Sequence, residues 1–266
     1  MAVASLARAL DLIELLAAAP AGVGLNQLAT RLDMPKSAAH RLLATLGERG
    51  YVCQDPASQD YRLSLRLAEL GFRLLDAQHL PDPAQTLLDE LARATGEYCR
   101  IALVENEHLV WVARAQGATQ GLRYEPEMGQ PVMLHATATG KAWLATLAEE
   151  DALRLVAARG FAVPPRFGPR VVSGIDALRA ELDATRRQGH GLAIDEGEPG
   201  TVALAVVFRA WNDPAAPVAG TLSVAGPHLR LGPETYTGIL VSLRAAARRM
   251  ARVWPVRRRR TKGGGE

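Results

Sequence analysis

The chain has 266 residues, 48% of them hydrophobic, which is enough to build the cores of one large or two modest domains. Its net charge of +3 arises at the end of the chain, because the residues before the last fifteen include 25 basic and 27 acidic side chains. No apolar run reaches the roughly 18 residues of a membrane span, no signal peptide is recognisable, and Cys53 and Cys99 form no metal or redox spacing. We therefore expect a cytoplasmic protein with no membrane segment, metal or cofactor.

A winged helix-turn-helix is predicted at the start of the chain, over residues 1–66. Apolar residues recur at helical spacing in three segments, and two short strands follow around a polar turn. Proline is favoured at the first helical position, and glycine ends a helix. The predicted elements are helices at 5–18 and 25–32, a turn at 33–35, a third helix that follows this turn and ends at Gly50, and strands at 51–54 and 61–63. The tight turn between the second and third helices is typical of this DNA-binding motif.

The third helix has one apolar face and one polar face. Ala39, Leu42, Leu43 and Leu46 share the first face, so the opposite face is left for solvent or a partner. An amphipathic surface helix is the alternative, but the surrounding elements favour a recognition helix in the DNA major groove. Groups near the helix start would contact phosphates, groups further along would reach base edges, and the first helix and the wing would add phosphate contacts. The candidate DNA-binding residues are Arg8, Lys36, Ser37, His40, Arg41, Thr45 and Arg62.

A single domain of this size offers little area for specific binding, so we expect two copies on a palindromic operator of double-stranded DNA. The apolar helix predicted at 67–80 would be a linker and a candidate dimer contact. The sequence leaves a homodimer and a homotetramer open. Residues 255–266 are expected to be a basic disordered tail, with contact to DNA phosphates as the alternative.

Mixed helices and strands are predicted over residues 81–254, as an antiparallel sheet with helices against it. The fold class is therefore α+β. A helix is expected over 134–147, and Ser173 with Asp176 is expected to form a capping box at the start of another. The predicted strands lie at 98–104, 109–114, 190–195, 202–209 and 218–224.

The helix expected from Leu134 combines small residues with threonines. Thr137 and Thr139 are candidate N-caps, and N–H groups at a helix start beside a sheet suit a carboxylate ligand. Alternatively, Ala136, Ala138 and Gly140 only permit tight packing of the helix on the sheet. The two interpretations are compatible.

The chain resembles the IclR family of bacterial transcriptional regulators in four segments, and the resemblance extends over roughly residues 5–250. The segments are Leu6–Leu16, Met34–Leu46, Leu134–Ala145 and Thr221–Pro227. The resemblance implies an N-terminal winged helix-turn-helix domain, a linker helix and a C-terminal GAF-like domain that binds a small effector. Members are typically dimers or tetramers that repress or activate transcription.

The resemblance also implies an effector site. It would be formed by Leu134, Ala138, Thr139, Val206, Ser223 and Ala225. Val206, Ala225 and the segment 193–194 are apolar where family members often carry small or polar groups. We therefore expect an organic acid with an apolar or aromatic body rather than a very small polar acid.

Catalytic motifs are weak. Gly140-Lys141 lacks the rest of a phosphate-binding loop, and His135 is expected to be packed or capping rather than a base. Asp195, Glu196 and Glu198 are expected to form a solvated acidic turn rather than an acid–base pair. We therefore expect a regulator and no enzyme; the alternative is a small-molecule-binding enzyme with a DNA-binding appendage.

Overall fold

The computed structural model describes residues 4–77, 81–126 and 128–253, and the chain divides into two compact units, 1–78 and 79–266. The first unit contains α1 (Ala4–Ala17), α2 (Leu25–Arg31), α3 (Lys36–Glu48), β1 (Val52–Gln54), β2 (Tyr61–Leu63) and α4 (Arg66–Ala77). The two strands pair antiparallel, and a short turn joins α2 to α3. The predicted winged helix-turn-helix is confirmed.

An apolar core holds the three N-terminal helices against the hairpin. Its buried members are Leu12, Leu16, Val23, Leu28, Leu43, Val52 and Tyr61. Val23 and Tyr61 also form an antiparallel bridge, which ties the segment between α1 and α2 to the wing. At the helix-turn-helix corner, Ala39 packs on Ala29 and Met34, so the inner face of α3 is fixed by both helices.

Pro35 ends the predicted turn at 33–35 and is the N-cap of α3. Its backbone is extended, with φ −57° and ψ 138°, and its carbonyl accepts the N–H groups of Ala38 and Ala39 at 2.9 and 3.1 Å. Asp33 adopts a left-handed φ of 45°, which turns the chain sharply ahead of the proline. The helix start is thereby set without a side-chain cap.

The second unit contains five helices, five strands and one short 3₁₀ turn within its described residues. They are α5 (Pro81–Thr95), β3 (Tyr98–Glu105), β4 (His108–Gln116), α6 (Ala138–Leu144), α7 (Glu149–Ala157), α8 (Ile175–Gln188), β5 (Gly191–Ile194), β6 (Thr201–Arg209), the 3₁₀ turn Ala210–Asn212, β7 (Val218–Pro227) and α9 (Pro233–Val253). The strands form one antiparallel sheet in the order β4-β3-β7-β6-β5. The predicted α+β class is confirmed.

Helices cover both faces of this sheet. On one face α6 packs on β5 and β6 through Ala138, Ala142, Ala193 and Ala205. Helices α5 and α9 contact each other and the strands. Since side chains alternate along a strand, the residues of β6 that flank Ala205 point away from α6. The sheet is therefore the middle layer of three.

Two predictions about helix starts in this unit were wrong. The helix expected from residue 134 begins at Ala138, because Leu134 to Thr137 form a turn. The capping box expected at 173–176 is absent, since the N-cap of α8 is Gly174 and no side chain bonds to the start of that helix.

The tail predicted at 255–266 and the end of the linker helix at 78–80 lie outside the described residues. No described helix combines the length and apolarity needed to cross a membrane.

Candidate DNA-binding surface and effector cavity

The polar face of α3 is exposed, as a DNA-reading helix requires. The five predicted side chains on it are all exposed: Lys36, Ser37, His40, Arg41 and Thr45. The opposite face contributes Ala39 and Leu43, at 0% and 1% exposure, to the core. The Thr45 hydroxyl donates to the Arg41 carbonyl at 3.0 Å, so its oxygen remains an acceptor for an outside donor.

The two predicted phosphate contacts outside α3 are also on the surface. Arg8 is exposed on α1, and Arg62 is exposed on the wing, where it pairs with Cys53. Within the described residues, neither of these side chains nor Lys36 nor Arg41 forms a salt bridge. Their charges are therefore available to an external anion such as DNA phosphate.

A cavity of about 480 Å³ lies in the second unit, beside the start of α6. Aromatic, basic and acidic side chains share its wall. They include Arg100, Trp111, Tyr124, Glu125, Thr137, Arg166, Phe167 and Glu198. This volume suits a small organic molecule.

Arg100 projects from β3 on the α6 face of the sheet and lines this cavity. Its guanidinium carbon lies 3.7 Å from the centre of the Trp111 ring and 5.5 Å from that of Tyr98. Its Nε atom is fully buried and has no hydrogen-bond partner within the described residues, which also offer it no salt bridge. Burial lowers the pKa of Arg100, since removal from water disfavours the cation. The arrangement can accept an anion against an aromatic surface.

A buried ion pair positions the turn that forms part of the cavity wall. Lys141 is 0% exposed, and its Nζ donates to Glu196 Oε1 at 2.7 Å, to Glu181 Oε2 at 2.9 Å and to the Leu192 carbonyl at 3.1 Å. Burial raises the pKa of Glu196, and Lys141 opposes that effect. The prediction of a solvated acidic turn was wrong for Glu196, which is 6% exposed. Glu198, two residues on, lines the cavity.

Thr137, predicted as a candidate N-cap, caps α6, since its hydroxyl accepts the Gly140 N–H at 3.1 Å. Close packing explains the neighbouring small residues. A Cβ on Gly140 would lie 2.2 Å from the Leu134 carbonyl oxygen, and Ala138 and Ala142 pack on alanines of the sheet. Hence the packing interpretation applies to these residues, while Thr137 itself reaches the cavity.

The six predicted effector residues do not line this cavity, although several lie on the same side of the sheet. Ser223 pairs with Arg100 and Ala225 pairs with Tyr98, so both share the α6 face. Thr139 is 1% exposed, and its hydroxyl has no partner within the described residues. Their role in binding stays a prediction.

Leu134 and Val206 are placed less favourably for contact with an effector. Leu134 packs in an apolar cluster with Trp143 and Leu144. Val206 pairs with Leu222, one residue out of phase with Ala205 and Ser223, so its side chain lies on the sheet face opposite α6. Val206 therefore lies on the side of the sheet away from the cavity that contains Arg100.

Arg100 and Trp111 were missed by reasoning from the sequence. The available signal was an arginine inside the otherwise apolar strand 98–104, where a buried cation needs a partner or a ligand.

His135 is 2% exposed and packs edge-on against Phe161, in agreement with the expectation of a packed histidine. No group of three metal-ligating side chains occurs within the described ranges.

Comparison with known proteins defines the class. The fold is that of a DNA-binding regulator with a ligand domain. Residues 5–56 match the IclR helix-turn-helix domain, and residues 72–252 match the C-terminal domain of the bacterial transcriptional regulator IclR. The chain is 30% identical to the HTH-type transcriptional regulator KdgR of Escherichia coli (strain K12) over 230 residues, 86% of this chain and 84% of that protein. The chain belongs to the IclR family of transcriptional regulators.

Two solved relatives contain hydroxybenzoates. A double mutant of the inducer-binding domain of PobR from Acinetobacter, in complex with 3-hydroxybenzoic acid, is 26% identical, with a TM-score of 0.57 over 66% of this chain and 99% of that chain. An IclR homologue from Microbacterium hydrocarbonoxydans, in complex with 4-hydroxybenzoate, is 22% identical and shares the fold, with a TM-score of 0.71 over 93% of this chain and 97% of that chain.

Proposed function

We propose that this protein is a sequence-specific DNA-binding regulator whose affinity for its operator is controlled by an organic acid with an aromatic body. Membership of the IclR family supports the general function in transcription. The observation that carries the finer proposal is Arg100, a cation lining a cavity with no salt-bridge partner among the described residues. We expect the protein in the cytoplasm, because its proposed function requires contact with DNA.

The environment of Arg100 supports an acid as the ligand. A guanidinium withdrawn from water without a carboxylate is unfavourable, and an incoming carboxylate relieves this by a charge-assisted, bidentate contact. Trp111 stacks on the guanidinium, and Tyr124 and Phe167 also line the cavity. These rings suit a planar apolar body between them. The complex of a PobR inducer-binding domain double mutant with 3-hydroxybenzoic acid supports the same ligand class here.

Calorimetric titration of the full chain with benzoate and with benzyl alcohol tests this proposal. The two molecules have similar size, and only benzoate is charged. We expect binding of benzoate and not of benzyl alcohol, and loss of that binding in Arg100→Gln with the circular-dichroism spectrum unchanged. Equal binding of both compounds, or benzoate binding that persists in Arg100→Gln, would refute the role of Arg100. The neighbouring Arg114→Gln, an exposed residue paired with Arg100 across the strands, serves as control.

The exposed face of α3 supports the DNA-binding part. Ligand binding in the second unit would favour one dimer geometry over another and so change the fit to two half-sites. Mobility-shift titration with DNA from upstream of its own gene, with and without bound acid, measures this coupling. An acid that binds the protein and leaves its DNA affinity unchanged would separate the two parts of the proposal.

Exposed apolar side chains on the first unit support self-association. They lie on α1, on α4 and just before α4, and each is at least 36% exposed: Leu6, Leu10, Leu65, Leu67, Leu70, Phe72 and Leu74. On α4, Leu67, Leu70 and Leu74 recur at helical spacing and share one face, as in a helix that packs on a partner. We propose a homodimer on a palindromic operator, with a homotetramer as the alternative, and light scattering distinguishes them by mass.

The alternative function is an enzyme with a DNA-binding appendage. Its expected signature is turnover of the bound acid in the absence of DNA. Incubation of the full chain with benzoate or 4-hydroxybenzoate, followed by chromatography, should return the ligand unchanged. A new product that requires the folded protein would favour the enzyme.

A further inference from the structure

A second groove lies on the α9 side of the sheet, away from the cavity that contains Arg100. Its volume is about 360 Å³, and it is lined by the end of β6, the residue after α8 and one side of α9. No residue lines both sites. The groove has an apolar part that includes Val206 and Ala247, and its rim carries Arg209, Arg244 and Arg248.

The three rim arginines have no acidic partner. No carboxylate is among the lining residues, and none of the three forms a salt bridge within the described part of the chain. Arg249 on the same helix, by contrast, pairs with Glu90. Three like charges around one groove repel each other and produce a local positive potential.

Backbone carbonyls hold two of these guanidinium groups, and a side-chain amide anchors the segment beside them. Arg209 donates to the Ala216 carbonyl, and Arg244 donates to the Gln188 carbonyl at 3.5 Å. The Asn212 amide donates to the Arg248 carbonyl at 3.2 Å and so ties the 3₁₀ turn to α9. The first two contacts orient Arg209 and Arg244 without neutralising their charges, and Arg244 and Arg248 remain exposed at the rim of the groove.

We propose that this groove binds a small phosphate-bearing metabolite. Three guanidinium groups on one rim match the several oxygens of a phosphate dianion, which they recognise by paired N–H donors. The groove is larger than a phosphate group alone, and its apolar part accommodates the organic remainder. The protein would then take two ligands on opposite sides of its sheet, an aromatic acid and a phosphorylated compound.

Calorimetric titration of the full chain at low ionic strength tests the inference with inorganic phosphate, glucose 6-phosphate and glucose. We expect both phosphates to bind, glucose 6-phosphate more tightly, and glucose not to bind. If inorganic phosphate binds and glucose 6-phosphate does not, the groove is a site for the phosphate ion only, and the proposal of an organic ligand is refuted. Arg244→Gln and Arg248→Gln should each weaken glucose 6-phosphate binding about tenfold or more, as expected when one charge-assisted contact is lost. Arg252→Gln, an exposed arginine of α9 outside the groove, should leave it unchanged.

The remaining outcomes separate specific binding from its alternatives. No binding of either phosphate, or equal loss in Arg252→Gln, would overturn the proposal. A loss of DNA affinity in Arg244→Gln and Arg248→Gln without any phosphate binding would identify the groove as a DNA contact and also overturn it. Arg100→Gln should retain glucose 6-phosphate binding, so failure of the organic-acid proposal and failure of this one are distinguishable.

Discussion

The guanidinium carbon of Arg100 lies 3.7 Å above the ring of Trp111, so a cation and an aromatic face together form one wall of the cavity. The ring limits where the guanidinium can move, and the guanidinium lines the cavity. The pair therefore combines charge recognition with a surface for a planar molecule.

Trp111→Leu should weaken benzoate binding without abolishing it. The variant keeps Arg100 and its charge but loses the stacking contact of the Trp111 ring. That contact is worth about 1 kcal/mol, which corresponds to roughly fivefold in the affinity for benzoate. Calorimetric titration measures the change. Trp211→Leu is the matched control because Trp211 is 66% exposed and outside the cavity. Unchanged affinity in Trp111→Leu would mean that the ring does not contribute to the site.

The buried pair of Lys141 and Glu196 should be coupled in stability. Lys141→Met leaves Glu196 buried without its cation and should reduce the free energy of unfolding by about 3–5 kcal/mol. The double variant Lys141→Met with Glu196→Gln removes both charges and should recover much of that loss. Thermal and denaturant unfolding of the full chain provide the measurement.

An exposed ion pair provides the control for this comparison of single and double variants. Arg179 and Glu149 are each 44% exposed in their side chains, so Arg179→Ala should leave the free energy of unfolding nearly unchanged. If the double variant is no more stable than Lys141→Met alone, the two buried charges are not coupled.

Arg41→Ala should weaken binding to DNA from upstream of the protein's own gene and leave the fold intact. Arg41 is exposed on α3 and has no salt bridge within the described chain. If Arg41 contacts a base, its loss should reduce the free energy of DNA binding by about 1–3 kcal/mol. If it contacts a phosphate, its loss should reduce the slope of log affinity against log salt concentration by about one. Mobility-shift titration at several salt concentrations separates these cases. Arg49→Ala, exposed at the end of α3, should have little effect, and equal effects of both variants would argue against a specific role for Arg41.

Phe72→Glu should shift the protein from dimer towards monomer. Phe72 is 70% exposed on α4, the helix that carries most of the exposed apolar side chains of the first unit, and a carboxylate buried at an interface without a partner is strongly unfavourable. Light scattering over a concentration series gives the mass. Leu229→Glu is the control, since Leu229 is 94% exposed in the second unit. A dimer that survives in Phe72→Glu would place the interface elsewhere.

The helix-turn-helix could be predicted from the sequence, whereas the cavity could not. Helical spacing alone identifies Ala39 and Leu43 as the inner face of α3, because that face depends on local geometry. The orientation of a strand residue depends on register with its neighbours, and a shift of one residue reverses it. The sheet face that Val206 occupies and the place of Arg100 beside the cavity therefore depend on pairings that the sequence does not specify. The burial of Glu196 depends on Lys141, 55 residues earlier in the chain, so its neighbours in sequence gave no indication of it.

Gly191→Ala should destabilise the second unit and weaken acid binding. A Cβ at this position would lie 2.0 Å from the Ala138 carbonyl oxygen, so α6 must move away from β5. Overpacking of this kind costs about 1–3 kcal/mol, and the displaced helix carries Thr137 at the cavity wall. Gly238→Ala is the control of opposite sign, since the exposed face of α9 has room for a methyl group and alanine favours a helix by about 0.5–1 kcal/mol. Thermal unfolding and benzoate titration of both variants provide the measurement, and a Gly191→Ala protein as stable as the parent would contradict the close contact between α6 and β5.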